Sequence, residues 1–201
     1  KPITKKIHEV ADHQIYGYTR WNHHDFKSSI TTYFKRRFDT DMEEDWILYS
    51  PSVMYSVSLL IRLLSQPHDK VLTMNPMYDA FINVIKENDR ELLSHHLIKE
   101  EGTFKIDFDV FEKQAQESTL LLLCSPHNPT GRIWSDEEMH RMIEICKKYH
   151  VKIISDEIHM DIRIKDAKHH PLMKYYGEYK DIFTASSSSK TLNTPGLIGS
   201  Y

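Results

Sequence analysis

Short apolar segments recur along the chain and alternate with longer segments in which apolar and polar residues are mixed. Residues 119–123 and 151–154 are apolar at nearly every position ("TLLLL" and "VKII"). Strands of this kind are typical of a parallel sheet that helices cover on both faces. Together with three further strand-like segments, they lead us to predict five strands, at 70–75, 91–98, 119–125, 151–158 and 181–187.

The mixed segments carry apolar residues at spacings of three and four, which is the period of an amphipathic helix. The clearest one begins at Ser135, which has the spacing of a capping box with Glu138; acids fill its first turn and bases its last. Its buried face is predicted to consist of Met139, Met142, Ile143 and Cys146. Four helices are predicted in this way, at 52–66, 77–89, 107–117 and 135–150.

The alternation of strands and helices predicts an α/β fold. Strands that are joined through helices by short turns form a mostly parallel sheet with helices on both faces, a three-layer α/β/α architecture. In such sheets, ligands bind at the carboxyl ends of the strands. Unusual polar motifs gather there: "SPHNPTGR" (125–132) follows one predicted strand, "DEIH" (156–159) ends the next, and "SSSSKT" (186–191) ends the one after it.

Composition limits the classes to which the protein can belong. Its 201 residues, 40% of them hydrophobic, are enough for one sizeable core. A formal net charge of −3 gives no reason to expect nucleic acid or an anionic membrane as partner. No apolar run reaches the length of a membrane span, and residues 1–13 lack the apolar core of a signal peptide. We therefore expect a soluble cytoplasmic protein, with Cys124 and Cys146 as reduced core residues.

Thirteen histidines raise the question of a metal site. Six of them form three adjacent pairs, whose side chains diverge and are expected to be solvated at the surface. No C-x-x-C or H-E-x-x-H spacing is present. Asp156, His159 and Asp161 are an alternative set of ligands, but along a continuous strand Asp156 faces away from the other two. The sequence therefore predicts no bound metal.

Three polar residues at the predicted strand ends form a set. Asn128, Asp156 and Lys190 follow three successive strands, so they should meet at one edge of the sheet. Each has a simpler explanation by itself, because Asn favours turns, acids can end a strand, and a lysine after four serines is normally solvated. Together they are the groups that pyridoxal phosphate requires, namely an amine for a Schiff base and an acid that keeps the pyridine nitrogen protonated.

Three segments carry a family resemblance. "SPHNPTGR", "SDEIHMDI" and "SSSSKTLNTPGL" resemble the motifs of pyridoxal-phosphate enzymes of aminotransferase class I/II, fold type I. The forms "PHNP-x-GR", "DEIH-x-D" and "SKT-x-N-x-x-G" are similar to those of the cystathionine β-lyase (C–S lyase) branch. The similarity covers almost the whole chain, because it extends through three more segments, "YGYT" (16–19), "YSPSVMYSVSL" (49–59) and "NPMYDAF" (75–81).

The resemblance implies a role for each motif residue around the cofactor ring. Lys190 would form the Schiff base and move the α-proton of the substrate, and Asp156 would pair with the pyridinium nitrogen. Asn128 would hydrogen-bond the phenolic oxygen of the ring, with His159 beside it. Tyr78 would stack on the face of the ring.

The resemblance also implies a phosphate site and a dimer. Ser52 and Val53 would offer backbone N–H groups from a helix N-terminus, and Ser187 and Ser189 would contribute hydroxyls. Tyr18 would reach the phosphate of the neighbouring subunit. A homodimer with shared active sites is therefore expected.

The domain limits follow from the same resemblance. Residues 1–25 would be an N-terminal segment that leads into the large domain, and residues 26–201 would be the PLP-binding large domain. Family members continue well past the lysine into a small domain with the arginine that holds the substrate carboxylate. We therefore expect this sequence to be a fragment that lacks the C-terminal small domain.

The function implied is an α,β-elimination on cystathionine or a related sulfur amino acid. An aminotransferase is the nearest alternative, because it shares every residue named above. An alternative of another class is a non-catalytic regulatory protein that keeps the fold to bind a partner, although intact Lys190, Asp156 and Asn128 argue against loss of the cofactor.

Overall fold

Parallel strands form the central sheet of the protein. The computed structural model describes residues 2–18, 22–162 and 167–201. The sheet contains β1 (Lys70–Asn75), β2 (Glu91–His96), β5 (Leu120–Cys124), β6 (Lys152–Asp156) and β7 (Ile182–Ala185). Their spatial order is β2-β1-β5-β6-β7, and every neighbouring pair is parallel. Two short strands, β3 (Ile98–Glu100) and β4 (Thr103–Lys105), pair with each other as a separate antiparallel hairpin.

Helices cover both faces of the sheet. On one face, α3 (Val53–Leu64) and α4 (Asp79–Glu87) share a buried apolar cluster with the strands. On the other face, α5 (Phe108–Ala115) and α6 (Asp136–Lys148) share a second cluster. The predicted three-layer α/β/α architecture with a mostly parallel sheet is confirmed, and so are all four predicted helices.

The period-two alternation of the strands decides which face each side chain meets. In β5, Leu120 and Leu122 pack on the side of α3 and α4, while Leu121 and Leu123 pack on the side of α5 and α6. All four are essentially fully buried, which explains why this strand reads as a continuous apolar run. The same alternation in β6 directs residue 156 to the α3 face, where Ile154 also packs.

The capping box of α6 forms as predicted. The Glu138 backbone N–H donates to the Ser135 hydroxyl at 3.1 Å, and the Ser135 N–H donates to the Glu138 carboxylate at 2.8 Å. The predicted face of Met139, Met142, Ile143 and Cys146 is buried, and Ile145 is buried with it. Both cysteines, Cys124 and Cys146, are free and buried, as expected.

Four of the five predicted strands are too long, β5 and β7 by one or two residues at each end and the other two because the chain changes direction. The segment predicted as 91–98 ends as β2 at His96, and Ile98 already belongs to the β3–β4 hairpin. The segment predicted as 151–158 ends as β6 at Asp156, because the carboxylate of Asp156 accepts the Ile158 N–H at 3.0 Å and turns the chain out of the sheet. Apolar character continues through both boundaries in the sequence, so it does not mark them.

Several elements of the first 51 residues are missing from the sequence prediction. These are α1 (Pro2–Asp12), a 3₁₀ turn at Glu44–Trp46 and, most important, α2 (His24–Phe38). The buried face of α2 is narrow, with Ile30, Phe34 and Phe38 separated by charged and hydroxyl residues. A second 3₁₀ turn, Leu172–Tyr175, is also missing. Within the described residues, no helix combines the length and the apolar character that crossing a bilayer requires.

The expectation that the histidine pairs lie at the surface is wrong for two of them. His95 and His169 are buried, although their neighbours are more exposed. Adjacent side chains point in opposite directions, so one member of each pair faces the core. His95 Nδ1 lies 2.8 Å from the Gln114 side-chain oxygen, and His169 Nε2 lies 3.0 Å from a carboxylate oxygen of Glu157.

Candidate active site

A cavity of about 360 Å³ opens at the carboxyl ends of β5, β6 and β7, beside the N-terminus of α3. Among its walls are nine of the ten site residues that the sequence predicts. These nine are Ser52, Val53, Tyr78, Asn128, Asp156, His159, Ser187, Ser189 and Lys190. Residues from five separate parts of the chain therefore meet at the edge of the sheet where ligands of α/β proteins bind.

Tyr18 is the exception. Its side chain is fully exposed and does not line the cavity. Its neighbour Thr19, the last residue of the "YGYT" motif, lies outside the described residues. In a single chain, therefore, Tyr18 does not meet the other nine residues.

Asp156 is the most unusual group of the site. It is the last residue of β6 and is 4% exposed, yet it forms no ion pair with any cation of the described residues. Burial raises the pKa of its carboxyl to about 6; the hydrogen bond from the Ile158 N–H opposes the rise, and the nearby Glu157 adds to it. A buried carboxylate without an ion-pair partner is stabilised when a cation binds beside it in the cavity.

The N-terminus of α3 presents two free donors to the cavity. Ser52 caps the helix, because its hydroxyl accepts the Tyr55 N–H at 3.2 Å and its carbonyl accepts the Ser56 N–H at 3.0 Å. Within the described residues, the N–H groups of Val53 and Met54 have no acceptor, and both residues line the cavity. The first turn also carries no acid, so the positive end of the helix dipole faces the cavity.

The "SPHNPTGR" segment is a closed loop that holds Asn128 at the cavity. Two backbone bonds close it, from the His127 N–H to the Arg132 carbonyl at 2.7 Å and from the Gly131 N–H to the His127 carbonyl at 2.8 Å. Gly131 has φ +70°, in the left-handed region that glycine adopts without strain. The loop therefore needs its glycine for closure.

The ring of His127 fixes the same loop from inside. His127 is buried, its Nδ1 lies 2.7 Å from the Thr130 hydroxyl, and its ring packs on Trp134 with centroids 5.4 Å apart. The Trp134 indole N–H in turn donates to the Cys124 carbonyl at 3.0 Å. Burial lowers the pKa of His127 to about 4, so the ring is neutral at physiological pH and acts as a packing and hydrogen-bonding group.

Lys190 lies on a turn that follows β7. The Ser187 hydroxyl donates to the Gly199 carbonyl at 2.8 Å and accepts the Ser189 N–H at 3.1 Å, so it organises the start of that turn. Both serines line the cavity with Lys190. Tyr78, at the N-terminus of α4, lines the cavity as well, with its ring packed edge-on against Phe81.

His159 reaches the cavity because β6 has already ended. Residues 158–161 form turns, with bonds from the Met160 N–H to the Glu157 carbonyl and from the Ile162 N–H to the His159 carbonyl. The assumption of a continuous strand is therefore wrong, and His159 shares the cavity with Asp156. Burial, with the nearby charge of Lys190, lowers the pKa of His159, which keeps the imidazole neutral near pH 7.

The alternative of a metal site has no support in the geometry. Asp161 lies outside this cavity, where its carboxylate accepts hydrogen bonds from Arg37 and Thr191. Among residues 2–18, 22–162 and 167–201, no group of His, Cys, Asp and Glu side chains is arranged to hold a metal ion.

Part of the cavity wall and the residues that support it lie outside the set predicted from the sequence. Cys124, assigned only to the core, also borders the cavity, where burial raises the pKa of its thiol. Leu197, Ile198 and Gly199 border it too, in a loop that no periodicity marks. Behind the site, the buried Glu157 bonds His169 Nε2 at 3.0 Å and the Leu172 N–H at 2.8 Å. The sequence signal for Glu157 is its position directly after Asp156, which turns its side chain to the opposite face.

Comparison with known proteins identifies relatives over nearly the whole chain. The family model described as aminotransferase class I and II matches residues 2–200. Cystathionine beta-lyase PatB from Bacillus subtilis is 33% identical over 198 residues, which are 97% of this chain and 51% of the relative. Protein MalY from Escherichia coli is 34% identical over 201 residues, 99% of this chain and 51% of the relative.

Solved structures agree with the sequence relatives. The PLP-bound C–S lyase from Staphylococcus hominis has a TM-score of 0.95 and 30% sequence identity, with 98% of this chain and 52% of that chain covered. The chain therefore spans about half the length of the curated relatives that it matches.

The buried charge of Asp156 leads to a prediction about stability in the absence of any ligand. Its pKa is about 6 in the folded chain and about 4 when unfolded, so the folded chain binds the proton more tightly. The free energy of unfolding should therefore fall as pH rises through that interval, by on the order of 2 kcal/mol from this group. Asp156→Asn should abolish this part of the pH dependence and stabilise the ligand-free protein at neutral pH.

Urea unfolding of both proteins at about pH 4 and about pH 8 measures the difference. Since other groups titrate equally in both proteins, only the change in the difference between them reports on Asp156. The same stability difference at both pH values would contradict the assignment.

Proposed function

The chain belongs to the aminotransferase class I and II family, and on that premise we propose that it is the cofactor-binding part of a PLP-dependent C–S lyase. The reaction would be the α,β-elimination of cystathionine or a related sulfur amino acid. The relatives that carry this activity in their names are cystathionine beta-lyase PatB and the PLP-bound C–S lyase of Staphylococcus hominis.

The observation that carries the proposal is Asp156, a buried carboxylate that pairs with no cation of the described residues and borders the same cavity as Lys190. The pyridine nitrogen of PLP, once protonated, is the partner that this carboxylate requires. Pairing would offset the cost of burying the charge and would hold the proton on that nitrogen. A cavity for a neutral or an anionic ring would not need this residue.

The N-terminus of α3 would hold the phosphate. The N–H groups of Val53 and Met54, which have no acceptor among the described residues and lie at the positive end of α3, would form a helix N-terminal anion site. The hydroxyls of Ser187 and Ser189 border the same cavity and would add donors. Ser52 would act through its cap, because its hydroxyl already accepts the Tyr55 N–H.

The remaining residues would orient the ring. Asn128, held by its closed loop, would donate to the phenolic oxygen, with the neutral imidazole of His159 beside it. The exposed face of Tyr78 would stack on the ring. When bound, PLP supplies an electron sink that makes the α-proton of an amino acid acidic.

Lys190 would be both the covalent attachment point of the cofactor and the base of the reaction. Its Nζ would take the proton from Cα of the substrate, and the electron pair of that C–H bond would form the Cα–Cβ double bond. The Cβ–S bond would break as that double bond forms, its electrons would leave on the thiolate, and water would hydrolyse the resulting enamine to pyruvate and ammonia.

An aminotransferase is the second candidate function, because the family model carries that name and the residues around the ring serve both reactions. The two reactions differ in where the proton taken from Cα goes next. A regulatory protein without activity is the weaker alternative, because an uncompensated buried Asp156 would serve no purpose in it.

We also propose the wider organisation of the protein. Residues 26–201 would form the PLP-binding large domain, and residues 1–25 would lead into it. The protein would be cytoplasmic and would act on a small-molecule amino acid, without nucleic acid or membrane as partner. Tyr18, exposed in the single chain, would complete the phosphate site of the second subunit in a homodimer with shared active sites.

The first test concerns the cofactor. Borohydride treatment of the full-length protein loaded with PLP should fix the cofactor on one peptide, and that peptide should contain Lys190. Mass spectrometry after proteolysis identifies it, and the Lys190→Arg variant is the control that should carry no label. Label on another lysine alone would refute the attachment site.

The second test separates the two reactions. With cystathionine as substrate, the lyase should release a thiol and pyruvate in equal amounts without an added keto acid. A transaminase instead needs an added keto acid and releases no thiol. Thiol-reagent absorbance and a coupled pyruvate assay measure the products, and keto-acid-dependent turnover without thiol would favour the aminotransferase.

The third test concerns Tyr18 and the dimer. Tyr18→Phe and Lys190→Ala homodimers should both be impaired. If Tyr18 acts across the interface, the mixed dimer combines both lesions in one site and leaves the other of its two sites intact, so mixing should restore activity. If Tyr18 acts within its own subunit, each site keeps one lesion and mixing restores nothing, which would remove the argument for shared sites.

A further inference from the structure

Within the part of the chain that the structure describes, one hydrogen bond joins the turn that carries Lys190 to a distant segment. Within residues 188–194, backbone bonds from Leu192, Asn193 and Thr194 close the turn on itself. Most of this segment is exposed, so packing does little to fix it. Among the described residues, the one hydrogen bond that joins 188–198 to a part of the chain outside 187–199 runs from the Thr191 hydroxyl to Asp161 Oδ2, at 2.7 Å.

Asp161 is well suited to hold that link. Its side chain is only 9% exposed, and its other oxygen, Oδ1, accepts the Arg37 Nε–H at 3.1 Å. Tyr33 lies next to it, since the Asp161 carboxylate, after burial, is a cause of the raised pKa of Tyr33. Two donors from distant parts of the chain, Arg37 and Thr191, therefore fix the position of this carboxylate. A solvated acid has no such fixed partners.

Helix α2 supplies the fixed end of this arrangement. Both Tyr33 and Arg37 lie on α2, whose Phe34 and Phe38 pack in one buried cluster with Met160, the residue before Asp161. The helix and the 160–161 turn are thus held together by apolar contacts as well as by the ion pair. The link to Thr191 extends this rigid unit to the Lys190 turn.

Lys190 and Thr191 are neighbours that face different spaces. Lys190 borders the active-site cavity, whereas Thr191 and Asp161 border a separate groove behind the turn. The hydrogen bond from Thr191 to Asp161 therefore fixes the position of the Lys190 backbone from outside the active-site cavity. A lysine side chain has four rotatable bonds, so its amine can take many positions. The position of the Lys190 backbone decides how much conformational entropy is lost when the amine is brought into the geometry for reaction.

We propose that Asp161 is a positioning residue, which holds Thr191 and thereby places the Lys190 amine for attachment and proton transfer. Through Asp161 and Thr191, the position of α2 would influence the position of the Lys190 amine. The inference rests on the role proposed above for Lys190, but the link itself exists without the cofactor. It also gives a physical reason for the last Asp of "DEIHMD" and for the Thr of "SKT", which the cavity itself does not use.

Thr191→Val is the main test variant, because it removes the hydroxyl and keeps the shape. Thr194→Val is the matched control, since it makes the same change in the same turn at a hydroxyl that bonds no other described residue. Thr191→Ser keeps the hydroxyl and should restore whatever Thr191→Val loses.

The first measurement is amide hydrogen exchange of the full-length protein without cofactor. Exchange at Leu192 and Thr194, whose N–H groups close the turn, should be faster by about tenfold in Thr191→Val, which is the size expected for one hydrogen bond to a charged group. Thr194→Val and Thr191→Ser should match the wild type. Equal exchange in the two valine variants would overturn the link.

The second measurement is steady-state kinetics of the loaded protein. Because misplacing a reacting group costs rate more than binding, kcat should fall by about tenfold in Thr191→Val while KM changes little. Asp161→Ala should cause a similar loss, and combining it with Thr191→Val should add little, because both remove the same interaction. Additive losses, or faster exchange with unchanged kcat, would overturn the positioning role.

The two proposals fail in different ways. If borohydride places no cofactor on Lys190, the proposed function fails, while the exchange result still decides whether Asp161 holds the turn. If Lys190 carries the cofactor and Thr191→Val behaves like Thr194→Val, the proposed function stands and the positioning role is wrong.

Discussion

Two adjacent carboxylates at the end of β6 leave the strand in opposite directions, and the candidate site depends on this divergence. Glu157 turns toward the α5–α6 face, where His169 and the Leu172 N–H bond both of its oxygens in a fully buried setting. Asp156 turns toward the α3 face, where a single backbone N–H is its partner among the described residues. One carboxylate is satisfied by the fold, and the other is left for a ligand.

The pair also explains why the strand ends where it does. The bonds of Glu157 draw the 169–172 segment against the back of the sheet, while the Asp156 carboxylate accepts the Ile158 N–H and starts the turn. That turn carries His159 into the cavity and Asp161 away from it. This short motif thus places Asp156 and His159 at the cavity, Glu157 on the opposite face of the sheet and Asp161 outside the cavity. A continuous strand, whose side chains alternate between two faces, cannot do this.

Local patterns in the sequence were sufficient for the sheet and the four helices around it, and the family resemblance supplied most of the nine predicted residues that border the cavity. The apolar runs of β5 and β6 follow from burial on both faces, and the cap of α6 follows from Ser135 and Glu138. Asn128, Asp156 and Lys190 were also expected to meet from the residues alone, because the carboxyl ends of parallel strands lie at one edge of the sheet. Whether those residues have the proposed roles is a separate matter, which the experiments on Lys190 and Tyr18 address.

The rest depends on contacts between distant parts of the chain, for which local periodicity has no signal. Arg37 reads as one more base in the last turn of a polar helix, yet its partner Asp161 lies 124 residues away. His169 reads as half of a surface pair, although its ring is bonded to Glu157 in the core. The error for His169 arises because a polar residue was assigned to solvent, whereas a polar group with a fixed partner can be buried at small cost.

The cost of burying an unpaired polar group also explains why the residues that support this site differ from those that would bind a ligand. A carboxylate that already has hydrogen-bond partners in the protein, such as Glu157 or Asp161, stabilises the backbone around the site but has no free acceptor for a ligand. A group that is to bind a ligand must remain unsatisfied and therefore lowers the stability of the empty protein, as the raised pKa of Asp156 indicates. The fold can tolerate that group because its neighbours in sequence, Glu157 and Asp161, are bonded elsewhere and fix the backbone on which it stands. Binding of a cationic ring would then return the lost stability, so that occupancy of the cavity and stability of the domain are linked through one carboxylate.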